Sequence, residues 1–172
     1  MAFIDGSFVA ASGWSSRAIE WFGAGGFSHV DCVLPESYCR QQRIPIGSLL
    51  GARSDVTGGA LPGVRIRPPT YETWPKRLTL RVPCTDQQAQ AWLDFLLAQV
   101  GKPYDKIGIL AFMIGRNWRE ENSWWCSELF VRALEVAGIC GDLAVPWYKI
   151  TPGDAALVAS ALGGQPILKL GL

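Results

Sequence analysis

Between residues 77 and 83 the chain reads RLTLRVP, an alternation of apolar and polar residues that predicts a strand with one buried face. Three more short runs read as strands. FSHVDCVLP (27–35) is rich in β-forming residues and closes on Pro35. GSLLGARSD (47–55) and GVRIRP (63–68) are separated by the turn-rich VTGGALP. After residue 85 the spacing becomes helical. Thr85 or Asp86 is placed to cap DQQAQAWLDFLLAQVG, with Ala89, Trp92, Leu93, Leu96 and Val100 on one face. WCSELFVRALEVAG (125–138) carries Leu129, Ala133, Val136 and Ala137 on one stripe, and Gly138 as its C-terminal cap. TPGDAALVASALG opens with Thr151 as N-cap and Pro152 at the first helical position. SSRAIEWF (15–22) is also helical in spacing, with Ser15 or Ser16 as N-cap and Gly23 as its stop. GKPYD (101–105) is a turn into KIGILAFMIG (106–115), expected as a short buried helix. A helix, then strands, then helices: the expected class is α+β with an antiparallel sheet.

Composition narrows the function classes. The 172 residues fit one domain, 1–172, and 49% hydrophobic against 18% charged residues mark a globular chain. Sixteen Lys and Arg face fifteen Asp and Glu, so nothing favours nucleic acid as a partner. The five cysteines are odd in number and form no CxxC pair, and there is one histidine; neither a zinc site nor another cofactor is expected. MAFIDGSFVAASGW has no basic stretch before an apolar core and contains Asp5, so it reads as mature sequence and not as a signal peptide. IGILAFMIG (107–115) is too short for a transmembrane segment. Cytoplasmic synthesis with free thiols is the expectation.

Two residues stand out as candidate chemistry. Cys126 falls where a polar turn becomes a helix, and the first turn of a helix offers unpaired N–H groups and a partial positive charge. A thiolate is stabilised there, and the same N–H groups can hold the oxyanion formed when it attacks a carbonyl. The competing reading is a small buried hydrophobe. A nucleophilic cysteine needs a base, and His29, the only histidine, lies in a predicted strand.

The ordered set SHVDCVL, GARSD…GVRIRP, GKPYD, WWCSELFVRAL and TPGDAAL resembles the circularly permuted branch of the NlpC-type papain-like cysteine hydrolases, over roughly residues 14 to 157. The resemblance implies an antiparallel sheet or half-barrel that carries the histidine, packed against helices, with the nucleophile at a helix N-terminus. It implies Cys126 as nucleophile, His29 as general base, and Tyr104 near the active site, hydrogen-bonding substrate or the oxyanion. Asp105 is expected to cap the next helix, and Glu128 to be a first-turn acid without catalytic duty. An amide of bacterial cell-wall peptides is the implied substrate. A phage tail or similar delivery assembly is the implied partner, which would make the protein virion-associated. A lipid acyltransferase or thioesterase of the same fold, and a catalytically silent structural component, are the alternatives.

One departure stands against the family pattern. A polar third residue is expected on the strand after the histidine strand, and Gly51 occupies that place. Asp31, two residues after His29 on the same strand face, Ser54 and Asp55 are the candidate substitutes. The arginines of RIRP (65–68) and GRNWREEN (115–122) read as solvated charge or as a grip on an acidic substrate. Trp118, Trp124 and Trp125 line a groove or close the core.

Overall fold

The structure, a computed structural model, describes residues 1–10, 26–105 and 122–167. The helices expected over 15–22 and 106–115, Trp118 and the arginines of GRNWREEN lie outside those residues. The described elements run β1 (Ala2–Ala10), β2 (His29–Val33), α1 (Glu36–Gln42), β3 (Leu49–Arg53), β4 (Gly63–Arg67) and β5 (Lys76–Cys84). There follow α2 (Asp86–Gln99), α3 (Cys126–Val136), a 3-10 turn (Trp147–Lys149), α4 (Pro152–Ala161) and β6 (Gln165–Pro166). The six strands form one antiparallel sheet in the order β4-β3-β2-β1-β5-β6. The α+β class therefore holds, and no helix among the described residues is long and apolar enough to cross a membrane.

The pattern reading misses β1 and α1, and with them the 3-10 turn and the two-residue β6. β1, expected only as a mature N-terminus, lies inside the sheet and pairs with both β2 and β5. Its alternation is blunted because Gly6, Ser7, Phe8 and Val9 are all buried, so both faces are covered at its C-terminal half. Gly6 is there for contact: a Cβ on it would stand 2.7 Å from the Phe130 ring of α3, which also meets Phe8 edge-on at 5.3 Å. α1 follows Pro35 and buries only Cys39, so it shows no apolar stripe.

The sheet face carrying Ile4, Phe8, Val30, Cys32, Leu50, Ala52, Val64, Leu80 and Val82 is the core face, and the helices pack on it. Thr85 caps α2 in a reciprocal box with Gln88, and Thr151 caps α4 in one with Asp154, with Pro152 at its start. Two stripe assignments are corrected. Val100 lies beyond α2 and is 40% exposed, because the helix ends at Gln99 and the chain turns away. Val136 is 45% exposed, and the buried surface of α3 is instead Leu129, Phe130, Val131, Ala133 and Leu134 around the expected Leu129–Ala133 line.

Candidate active site

Two of the candidate residues leave the sheet on its other face. His29 and Asp31 are two residues apart on β2, so their side chains project to the same side, away from Val30 and Cys32. Asp31 stands opposite Ser7 of β1. The β2–β3 register, Cys32 against Leu50 and Val33 against Leu49, continues to put it opposite Gly51. Both neighbours are small. A Cβ on Gly51 would lie 1.9 Å from Asp31 Oδ1, so the missing side chain is the space that the carboxylate fills. Asp31 Oδ1 then meets His29 Nε2 at 2.9 Å. The polar partner expected at position 51 comes from strand β2, and Gly51 makes room for it.

Cys126 reaches the same place from α3. Trp125 is extended (φ −100°, ψ 170°) and serves as N-cap; its N–H donates to Glu128 Oε2 at 3.2 Å, which leaves Cys126 the first helical residue. Ser127 Oγ donates to the Ile150 carbonyl at 2.6 Å and ties the helix start to the chain before α4. The segment before α3 is anchored on the other side. Trp124 N–H donates to the Pro103 carbonyl and Asp105 N–H to the Trp124 carbonyl, both at 3.1 Å. This short parallel bridge sets Tyr104 beside the helix entry. The His29 ring and the Cys126 thiol lie near enough for their charges to act on each other; with Nε2 held by Asp31, Nδ1 is the nitrogen left for the sulfur.

All three groups are buried, and their charges decide their protonation. Burial opposes the imidazolium, yet the charges of Asp31 and of a Cys126 thiolate, with the Asp31 hydrogen bond, raise His29 from 6.5 to about 9. Burial likewise pushes the Cys126 thiol up, but the His29 charge and the Val30 backbone beside it bring it below its ordinary 9.0. Asp31 is lowered for the same reasons: burial works against it, and His29, the Tyr71 hydroxyl and the Arg67 charge outweigh burial. These shifts favour the thiolate–imidazolium form of the pair, backed by a carboxylate. Such a set can attack a carbonyl and protonate a leaving group.

Tyr104 belongs to this neighbourhood. Burial and the Cys126 charge hold its phenol well above the ordinary 10.0, so it remains a neutral donor. Ser54 and Asp55, the other substitutes for the third residue, are corrected: both lie in the exposed turn after β3. The Asp55 carboxylate is taken up by Arg53, at 2.8 Å through both oxygens, and by the Thr57 hydroxyl. The expectation of solvated charge fails at Arg67, which is 1% exposed; its guanidinium donates to the carbonyls of Gly51 at 3.1 Å and of Gly63 at 3.4 Å. Trp124 closes the core, packing edge-on to Phe95 and donating its Nε1–H to Gln99 at 3.1 Å.

Two contributors were not legible as functional. The connection PPTYETWP (68–75) between β4 and β5 places Tyr71 Oη 2.6 Å from Asp31 Oδ2 and stacks Trp74 on the His29 ring at 6.0 Å and 19°. The only sequence signal was a pair of aromatics between prolines in a polar connection. Among the described residues no group of three or more His, Cys, Asp and Glu side chains is arranged to hold a metal ion. The chain matches no protein-family model and no curated protein.

Proposed function

We propose that this chain is a cysteine hydrolase with the permuted papain-like arrangement, acting on an amide bond. One observation carries the reading: a buried imidazole hydrogen-bonded to a carboxylate and placed beside a helix-N-terminal thiol, whose anion its charge favours. In the first half-reaction the Cys126 sulfur bonds to the amide carbon, and the backbone N–H of Cys126 receives the developing oxyanion. The C–N bond breaks as His29 gives its proton to the departing amine. In the second half-reaction water attacks the thioester, His29 takes the water's proton, and the C–S bond breaks to release the acid and the thiolate. Tyr104 is suited to donate to substrate or oxyanion.

Cell-wall peptides remain the proposed substrate class, with a phage tail or comparable assembly as the proposed carrier. The silent-component reading drew its support from Gly51, and that support falls away once Asp31 supplies the polar partner. A lipid ester uses the same three residues, so the test sets the two against each other. Purified protein is incubated with cell-wall peptide amides and with lipid esters, before and after alkylation by iodoacetamide, and products are read by mass spectrometry. Amide turnover that disappears when one equivalent of label sits on Cys126 is the expected result. Turnover of neither substrate, or turnover that survives that label, would sink the proposal.

Labelling itself carries a prediction. At pH 6.5 Cys126 should alkylate about tenfold faster than the other thiols, since the His29 charge favours its thiolate. Burial pushes Cys32 well above 9.0 and Cys140 to about 11, so these two should label last. Peptide mapping of a time course checks the order.

A further inference from the structure

We propose that Tyr71 is a positioning residue of this site: its phenol O–H, donated to Asp31 Oδ2, holds the carboxylate so that Oδ1 faces the His29 Nε2 proton. The torsion that turns an aspartate carboxylate is broad, so one hydrogen bond leaves its plane loose. Two donors at fixed places, His29 on Oδ1 at 2.9 Å and Tyr71 on Oδ2 at 2.6 Å, lock it. Tyr71 is itself fixed from several sides. The Arg53 guanidinium lies 5.5 Å over its ring, and Trp74 meets it edge-on at 5.8 Å. A Cβ on Gly58 would stand 2.6 Å from the Tyr71 Cβ, so that glycine makes room for Tyr71 as Gly51 does for Asp31. Trp74 then stacks on His29, closing a circuit Tyr71–Asp31–His29–Trp74 in which each ring or carboxylate touches the next.

The donor direction is settled by charge. Burial and the Asp31 charge push the Tyr71 phenol far above its ordinary value, so it keeps its proton and donates. The groups facing Asp31 are His29 from β2, with Cys126 of α3 behind it, Tyr71 from the connection after β4, and Arg67 of β4. Arg53 of β3 acts on Asp31 through Tyr71 and Trp74, and its own charge is balanced by Asp55 and by Glu72 at 2.9 Å.

The inference rests on the hydrolase reading for its effect on turnover, and its test does not need turnover. The chain has one histidine, so its downfield imidazole protons are at most two, and ¹⁵N labelling of the ring identifies the Nε2 proton held by Asp31. Acidification removes that signal as Asp31 protonates. In Tyr71→Phe the pH at which it disappears should rise by about one to two units, the worth of one hydrogen bond to a charged group. Site-specific fluorinated tyrosine at 71, which keeps the ring and strengthens the donor, should move it down. This second measurement stands even if Tyr71→Phe does not fold. An unmoved midpoint in folded Tyr71→Phe, or an unmoved or raised midpoint with fluorotyrosine, overturns the proposal. Absence of turnover in the wild type, with the midpoint moving as expected, would count against the hydrolase reading and leave Tyr71's role intact. If both hold, kcat in Tyr71→Phe should fall about tenfold with KM unchanged, since the residue does not touch substrate.

Discussion

Cys126→Ala is expected to remove turnover by about 10⁵-fold or more while the protein still folds. In the proposed reaction the sulfur is the atom to which the acyl group bonds, and His29 is the chain's one histidine. The fold should persist because the helix start does not depend on the thiol: the Glu128 and Ser127 hydrogen bonds remain. What changes is the pH dependence of stability. His29, raised from 6.5 to about 9 by Asp31 and the Cys126 thiolate together, contributes stability that is full below 6.5 and lost as pH rises through about 9; in Cys126→Ala the Asp31 share of that rise remains. Cys126, lowered from 9.0, contributes in the opposite sense, fully above 9.0 and lost as pH falls through its native value. Where the native pair holds its proton on His29, the unfolded chain below 9.0 holds one on the cysteine. The two contributions therefore slope in opposite directions and offset each other in the wild type. In Cys126→Ala the cancellation is gone, and urea midpoints should fall with rising pH above about 6.5. Turnover and a urea series at several pH values check both statements. Equal slopes in the two proteins would mean that no ion pair exists.

Gly51→Ala is the second large effect, at a residue with no functional group. The added carbon would stand 1.9 Å from Asp31 Oδ1, well inside any contact distance, so the carboxylate must swing out. Asp31 is 2% exposed and confined between Ser7 and Gly51, so it has nowhere nearby to go. Loss of its grip on His29 should cost about 10²-fold in kcat, and the overpacking about 1–3 kcal/mol. The double variant Gly51→Ala with Asp31→Ala separates the two. Removing the carboxylate relieves the clash, so thermal stability should recover relative to Gly51→Ala while turnover does not. Recovery of turnover in that double variant would show that Asp31 has no part in catalysis.

Gly51 illustrates how a sequence can mislead when it is read one segment at a time. Gly51 marks a gap in the pattern of a polar third residue, and by itself it argues for lost function. Opposite Asp31 it argues for the reverse. The difference lies in strand register, which pairs Cys32 with Leu50 and so sets position 31 against position 51. Tyr71 is a stronger case: its hydroxyl meets a carboxylate forty residues earlier, across strands, through a connection with no periodic pattern. β1 was hidden for a related reason. Burial on both faces removes the alternation that identifies a strand.

The amino-acid sequence by itself determined the strands β2 to β5, the capped helices α2 and α4, and a cysteine at the first turn of α3. These follow from one-sided burial and from caps, interactions that span a few residues and leave a local pattern. Tertiary structure alone decided that His29 faces Cys126, that Asp31 and neither Ser54 nor Asp55 backs it, and that Tyr71, Trp74 and Arg67 surround that carboxylate. Those choices depend on register and on the space left by small residues on neighbouring strands, and no single stretch of chain records either.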